Sequence, residues 1–99
     1  PNIDEEVLNK LKEIFTKHEG LVFESRAFSQ IVNEEEITYI SVFFNREDEE
    51  AHNVDEEIYT YLESYEKNDY RLVVLNDYSV PKEIRKAFLS KNSIEIYKS

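Results

Sequence analysis

The sequence predicts a single α/β domain of the α+β kind over residues 1–99, with the order α-β-β-α-β-α-β: a four-stranded mixed sheet covered by three helices. Three observations predict it. Helical and alternating apolar periods succeed one another along the chain, and two strand-like runs flank a short polar connection. Strand, helix, strand then occurs twice in succession, which right-handed crossovers convert into parallel strands. A chain of 99 residues buries roughly 60–70% of its unfolded surface, enough for one core.

The first helix opens at Asn2, an N-cap residue with Glu5 in capping-box position, and Asp4 and Glu6 complement the positive end of the helix dipole. Ile3, Val7, Leu8, Leu11, Ile14 and Phe15 form its apolar stripe. Lys17 and His18 suit the negative end, and Gly20 is the expected C′ residue. From Leu21 the run LVFESRAF, and after Asn33-Glu34-Glu35-Glu36 the run ITYISVFF, are rich in β-branched and aromatic residues, which predicts an antiparallel hairpin. Ile31 and Val32 either extend the first strand or belong to an irregular FSQIV turn. The second strand carries large apolar groups on both faces, Ile37, Tyr39 and Phe43 against Ile40, Val42 and Phe44, and is therefore expected to be central.

Asn53 with Glu56 repeats the capping-box spacing ahead of Val54, Ile58, Tyr61, Leu62 and Tyr65, predicting a second helix that ends near Lys67-Asn68. Tyr61 and Tyr65 read as core and Tyr59 as exposed. The continuous apolar centre of RLVVLND predicts a parallel strand buried on both faces. Pro81 opens a third helix whose inward stripe is Ile84, Ala87, Phe88 and Leu89; Asn92 stops it. SIEIY alternates as a last strand, with Ile94 and Ile96 expected to pair beside Leu72–Leu75.

Charge is spread unevenly. Residues 1–70 hold nineteen acidic and six basic side chains, while residues 71–99 hold three and six, within a net charge of −10. The densest acidic block follows the hairpin: Glu47, Asp48, Glu49, Glu50, Asp55, Glu56 and Glu57 face the single arginine Arg46. Such a field attracts basic surfaces and repels phosphate, so a basic protein surface is the expected partner and direct nucleic-acid binding is disfavoured. A homodimer is left open. Lys82, Arg85, Lys86 and Lys91 form the one candidate basic face, beside a helix N-terminus that suits an anion.

Several chemistries lack their residues. There is no cysteine, so disulfides, thiolate nucleophiles and thiolate zinc sites are excluded. The longest apolar runs, such as Val42-Phe43-Phe44 and Leu72–Leu75, are far too short to span a bilayer, and no signal-peptide pattern opens the chain; the expectation is an intracellular protein with no membrane contact. A hard cation wants six or more oxygens, and the calcium-hand loop alternates its acids around a glycine; EDEE and VDEE do neither, so the block reads as a solvated face. His18 and His52 form no HxxxH pair, and no serine sits in a nucleophile elbow. His52, among Glu49, Glu50 and Asp55, reads as a solvated loop histidine, with a pH-dependent latch as the second reading. No catalytic, cofactor-binding or metal-ligating residue is assigned.

The element order resembles the core of restriction-endonuclease-like nucleases over nearly the whole chain. That family places an acid at the start of one central strand and an acid-x-lysine on the next; here ITYISVFF holds no acid and the nearest approach is Glu24-x-Arg26, which implies an inactive relative. In size, acidity, Tyr/Ile/Asn/Lys content and lack of cysteine the chain is also similar to the small intracellular proteins of filamentous viruses of hyperthermophilic archaea, which implies the host cytoplasm. A single glycine, no methionine and 34% charged residues lean toward a thermophilic source. The expected function is a non-enzymatic acidic interaction protein that binds a basic partner or mimics nucleic-acid charge. The alternative is a metal-dependent nuclease or phosphodiesterase, or an inactive nuclease-like nucleic-acid-binding protein.

Overall fold

A computed structural model describes residues 1–99. The elements are α1 (Glu5–Lys17), β1 (Val22–Val32), β2 (Glu35–Phe44), α2 (Glu49–Ser64), β3 (Asp69–Val74), α3 (Lys82–Leu89) and β4 (Ile94–Lys98), in the expected order. They form one α+β domain around a four-stranded mixed sheet of order β3-β2-β1-β4.

β2 is central, as its two apolar faces require. It pairs antiparallel with β1, from Val22 opposite Phe44 to Val32 opposite Glu35, and parallel with β3, from Ile37 beside Asp69 to Val42 beside Val74. Ile31 and Val32 extend β1. The hairpin closes through Asn33 and Glu34, with φ of 51° and 69°. Two successive positive φ values define the mirror-image turn whose twist matches paired strands, and such turns ordinarily place glycine second. Glu34 fills that place with a Cβ that crowds the following carbonyl.

α1 and α2 cover one face of the sheet. Val7, Leu11, Ile14 and Phe15 of α1 and Ala51, Val54, Ile58 and Leu62 of α2 close on Val22, Ala27, Ile40, Val42, Phe44, Tyr70 and Ile96. Their ends are tied by polar contacts. Asp4, rather than Asn2, is the N-cap of α1, but its carboxylate makes no cap bond. It accepts instead from the Tyr65 hydroxyl and from Asn68 Nδ2 at 3.0 Å, while its own N–H donates to the Tyr70 hydroxyl at 3.0 Å. The hydrogen bond to Asp4 holds the Tyr65 phenol above its ordinary pKa. α2 begins a full turn before Asn53: Asp48 is the N-cap, its Oδ1 accepting from Ala51 N at 3.0 Å, and Glu49 and Glu50 fill the first turn. Both arrangements place carboxylates where the helix dipole favours them, so either was compatible with the sequence.

The opposite face is covered by α3 alone. Phe88, the one buried residue of that helix, meets Phe28 edge-on with centroids 4.7 Å apart, and Phe28 stacks on Tyr39 at 5.1 Å. Arg26 fixes the return of the chain: Nε donates to Phe88 O at 3.0 Å and to Ser93 Oγ at 3.1 Å, and Nη2 to Ser93 Oγ at 3.0 Å. α3 therefore carries the chain across β1, and β4 lands on the far edge, antiparallel to residues 24–27 of β1. This corrects two expectations. β4 does not pair beside Leu72–Leu75, and β3 is an edge strand, so that Leu72, Val73 and Val74, with Leu75 just beyond it, are only half-buried.

Glu34→Gly is expected to stabilise the protein by up to about 1 kcal/mol in denaturant unfolding, because removing the Cβ penalty outweighs the added freedom of the unfolded chain. Arg26→Ala is expected to cost about 2–3 kcal/mol in the same experiment, since it removes the charge-assisted hydrogen bonds to Phe88 O and Ser93 Oγ that tie α3 and β4 to β1.

Candidate functional site

The outer side of β3 is recessed. A cleft of about 780 Å³ runs along its C-terminal half, between Leu72 and Val74 on the strand, Asp55 of α2, and Val80, Pro81 and Ile84 of the connection into α3. A second, of about 450 Å³, follows its N-terminal half between Tyr59, Leu62 and Glu63 of α2 and Asp69 and Arg71. Both are lined by Leu72, so together they trace one groove along the strand.

The groove is shaped by the segment 75–81. Asn76 continues the sheet beyond β3: Phe44 N donates to its Oδ1 at 2.8 Å, and its Nδ2 donates to Phe44 O at 3.0 Å, as a further pair of backbone groups would. Asp77 Oδ1 accepts from Ser79 N at 2.9 Å and Ser79 Oγ at 2.8 Å, closing a turn that holds the Asp77 carboxyl below its ordinary pKa. Arg85 binds the segment from beneath, donating to Leu75 O at 2.9 Å, to Val80 O at 3.3 Å and to Asp77 O. Tyr78 projects from the same turn, 99% exposed.

The rim is acidic. Glu47, Asp55 and Asp77 border the larger cleft, and Glu63 and Asp69 the smaller. The one cation among the lining residues, Arg71, is bound by Asp69, with Nε to Oδ1 at 2.8 Å and Nη2 to Oδ2 at 3.1 Å. Asp55 is half-buried, and desolvation raises its pKa against the opposing pull of His52.

The residues singled out by sequence are scattered among different tasks. Of the acidic block, Asp48 caps α2 and binds Arg46, Glu50 takes a second bond from Arg46 at 2.7 Å and one with His18 Nδ1 at 3.2 Å, and Glu56 meets His52 Nε2 at 3.2 Å. Glu49 and Glu57 are exposed, and Glu47 and Asp55 face the groove. His52 lies within α2 rather than in a loop. On the basic side Lys82, Lys86 and Lys91 are exposed, whereas Arg85 is taken up by backbone carbonyls. Glu24 and Arg26 lie 3.7 Å apart, with the guanidinium committed to the α3–β4 connection. No group of three or more His, Asp or Glu side chains converges as metal ligands would. Sequence reasoning missed the groove itself, with Tyr39, Leu72, Val74, Asn76, Val80 and Ile84, because an apolar run reads alike in a covered strand and at an edge. The only sign of an edge lay in the charged Asp69 and Arg71 at its start.

No family model and no curated protein matches the sequence. Two solved structures share the fold, and in each case the alignment covers 98% of this chain and 74% of the other. One is a crystal structure of a Shewanella oneidensis protein, with a TM-score of 0.53 at 14% identity. The other is a complex of a tri-AMPylated Shewanella oneidensis HEPN toxin with an MNT antitoxin, with a TM-score of 0.55 at 12% identity.

These likenesses correct the expectations drawn from element order and composition. The solved structures that share this fold come from a bacterium, one of them a toxin–antitoxin complex, and are neither archaeal viral proteins nor restriction-endonuclease-like nucleases, so both resemblances and the viral and hyperthermophilic readings drawn from them are set aside. Element order does not specify strand order, and acidity and low glycine content are not confined to one source. The expected function is corrected too, in both its forms. An interaction protein defined by its acidic block gives way because the block does not act as one face: Asp48 caps α2, Glu50 and Glu56 make local bridges, and Glu47 and Asp55 turn to the groove; a nuclease gives way because Arg26, of its nearest acid-x-base pair, is committed to the Phe88 carbonyl. No helix is long and apolar enough to cross a membrane.

Asp55→Asn is expected to raise the melting temperature at neutral pH. The fold raises the Asp55 pKa, so the ionised form costs stability above that pKa and the cost vanishes once the unfolded chain is also protonated, below the ordinary value of 3.8. The variant's advantage should therefore shrink as thermal unfolding is followed from pH 7 down toward the ordinary carboxyl range.

Proposed function

We propose that this chain is a partner-binding protein of the antitoxin kind, which acts by holding a protein partner in a stable complex. The observation that carries this reading is the likeness, over 98% of the chain, to a structure that contains an antitoxin bound to its toxin. The surface agrees with it. An open strand edge beside a long groove with an apolar floor is suited to another polypeptide, whereas an enclosed cavity with converging polar groups would suit a small substrate.

The AMP groups on the toxin in that complex favour a second reading, in which this chain attaches AMP to its partner. That transfer moves charge onto phosphate oxygens, which proteins stabilise with divalent cations held by converging carboxylates and with positioned cations. Here Asp55 and Asp77 stand on different elements of the groove, Asp77 is occupied by Ser79, and the nearest arginines, Arg71 and Arg85, are bound to Asp69 and to backbone carbonyls. Binding without transfer is the mode these side chains support.

The test is to isolate the chain with its native partner and measure the intact masses of both before and after incubation with ATP and manganese. A complex of fixed stoichiometry whose partner keeps its mass is the expected result. An ATP-dependent gain of AMP on the partner would make the chain a transferase, and a chain that stays free of any partner would overturn the reading.

A further inference from the structure

We propose that the outer edge of β3 receives an extended segment of the partner as a fifth strand, apolar on the face toward α3 and basic on the face toward α2. The proposal deepens the partner-binding reading and rests on it for the source of the segment. Three independent features of the groove carry it.

The first is the backbone. Leu75 N donates to Val42 O at 2.9 Å, and the parallel register repeats this contact at every second residue, at Val73 and Arg71. Leu72 and Val74 therefore turn their N–H and C=O groups away from β2, where no strand meets them. Unpaired groups along a strand edge are a template for another chain, and proteins commonly blunt such an edge with proline, a bulge or inward charge. From Arg71 to Leu75 this edge carries none of these: it has no proline, its pairing with β2 shows no register shift, and the side chains after Arg71 are apolar.

The second is the shape beside the edge. Side chains of an added strand alternate between the two faces of the sheet. On the α3 side they would enter the cleft floored by Val73, Val80, Pro81 and Ile84 and walled by Tyr39. On the α2 side they would pass Glu47, Asp55, Tyr59 and Glu63.

The third is charge. The α2 side presents three carboxylates, Glu47, Asp55 and Glu63, and the groove's only lining cation, Arg71, is already bound by Asp69. A lysine or arginine of the incoming strand meets uncompensated negative charge there, and an acidic residue meets repulsion. One alternating pattern, apolar toward α3 and basic toward α2, satisfies both rows at once. An uncharged or acidic strand would satisfy only the backbone.

The probe is a synthetic peptide in which valine and lysine alternate, titrated into the full chain and followed by backbone amide shifts and hydrogen exchange. Two further versions carry backbone N-methyl groups, one along each edge of the extended peptide, and a fourth replaces lysine with glutamate. Expected are new protection of the Leu72 and Val74 amides, loss of binding on methylation of one edge only, and no binding by the glutamate peptide. Asp55→Asn with Glu63→Gln should weaken the lysine peptide at low salt and have little effect at high salt. Equal binding of both methylated versions, or protection that appears on residues 28–32 of β1 in place of β3, would overturn strand addition. Such a failure beside an intact native complex removes only this mode of docking. Selective peptide binding beside a chain that isolates without a partner would retain the strand site and remove the antitoxin reading.

Discussion

The fold depends on β2 being paired along both edges and packed on both faces. β1 holds it antiparallel through the hairpin, and β3 holds it parallel through the α2 crossover. Its even-numbered residues Ile40, Val42 and Phe44 close the core under α1 and α2, while Tyr39 on the other face stacks on Phe28. Each neighbour is bound by position to this strand, so the remaining elements are distributed by what β2 leaves uncovered. α2 returns the chain to one side of it, and α3 crosses the face that α1 and α2 do not occupy.

That distribution is lopsided. One face is roofed by helices of 13 and 16 residues and the other by a helix of 8. On the thinly covered face Phe23 and Phe43 remain about 40% exposed, in edge-to-face contact at 5.9 Å. The aromatic contact of Phe88 with Phe28 and the reach of Arg26 to Phe88 and Ser93 settle where α3 lies, and β4 follows onto β1. β3 is thereby left with one covered edge and one open edge. The groove is a consequence of topology, and Arg85 and Asn76 preserve its wall by giving the 75–81 segment a fixed course.

Much of the fold was legible because local chemistry and tertiary role agree. The β-branched and aromatic run from Ile37 to Phe44 forms a central strand, and Val54, Ile58 and Leu62 lie on the buried stripe of α2. Where two local patterns were equally good, the outcome was decided elsewhere. Asp48 and Asn53 are both sound caps, and the helix took the earlier start because Ala51 is buried against the sheet. Leu72–Leu75 has the apolar run of an interior strand, but strand order is set by Phe88 and Arg26, far away in sequence. The site was largely illegible for the same reason. Arg85 reads as a free cation until the loop carbonyls it binds are in place, and the acidic block, exposed as expected at every member but Asp55, shows its cap and its bridges only in the folded chain.

An open, well-formed β3 edge is the feature on which the proposed mode of docking rests, and hydrogen exchange of backbone amides in the free protein tests it most directly. The amides of Arg71, Val73 and Leu75 should be protected by their bonds to β2, while those of Leu72 and Val74 exchange rapidly into water. Alternating protection along the strand is the expected result. Uniform protection would mean that the edge is already covered, and uniform exchange that β3 is not paired with β2 at all; either would contradict the claim that this strand is ordered, exposed and ready to accept another.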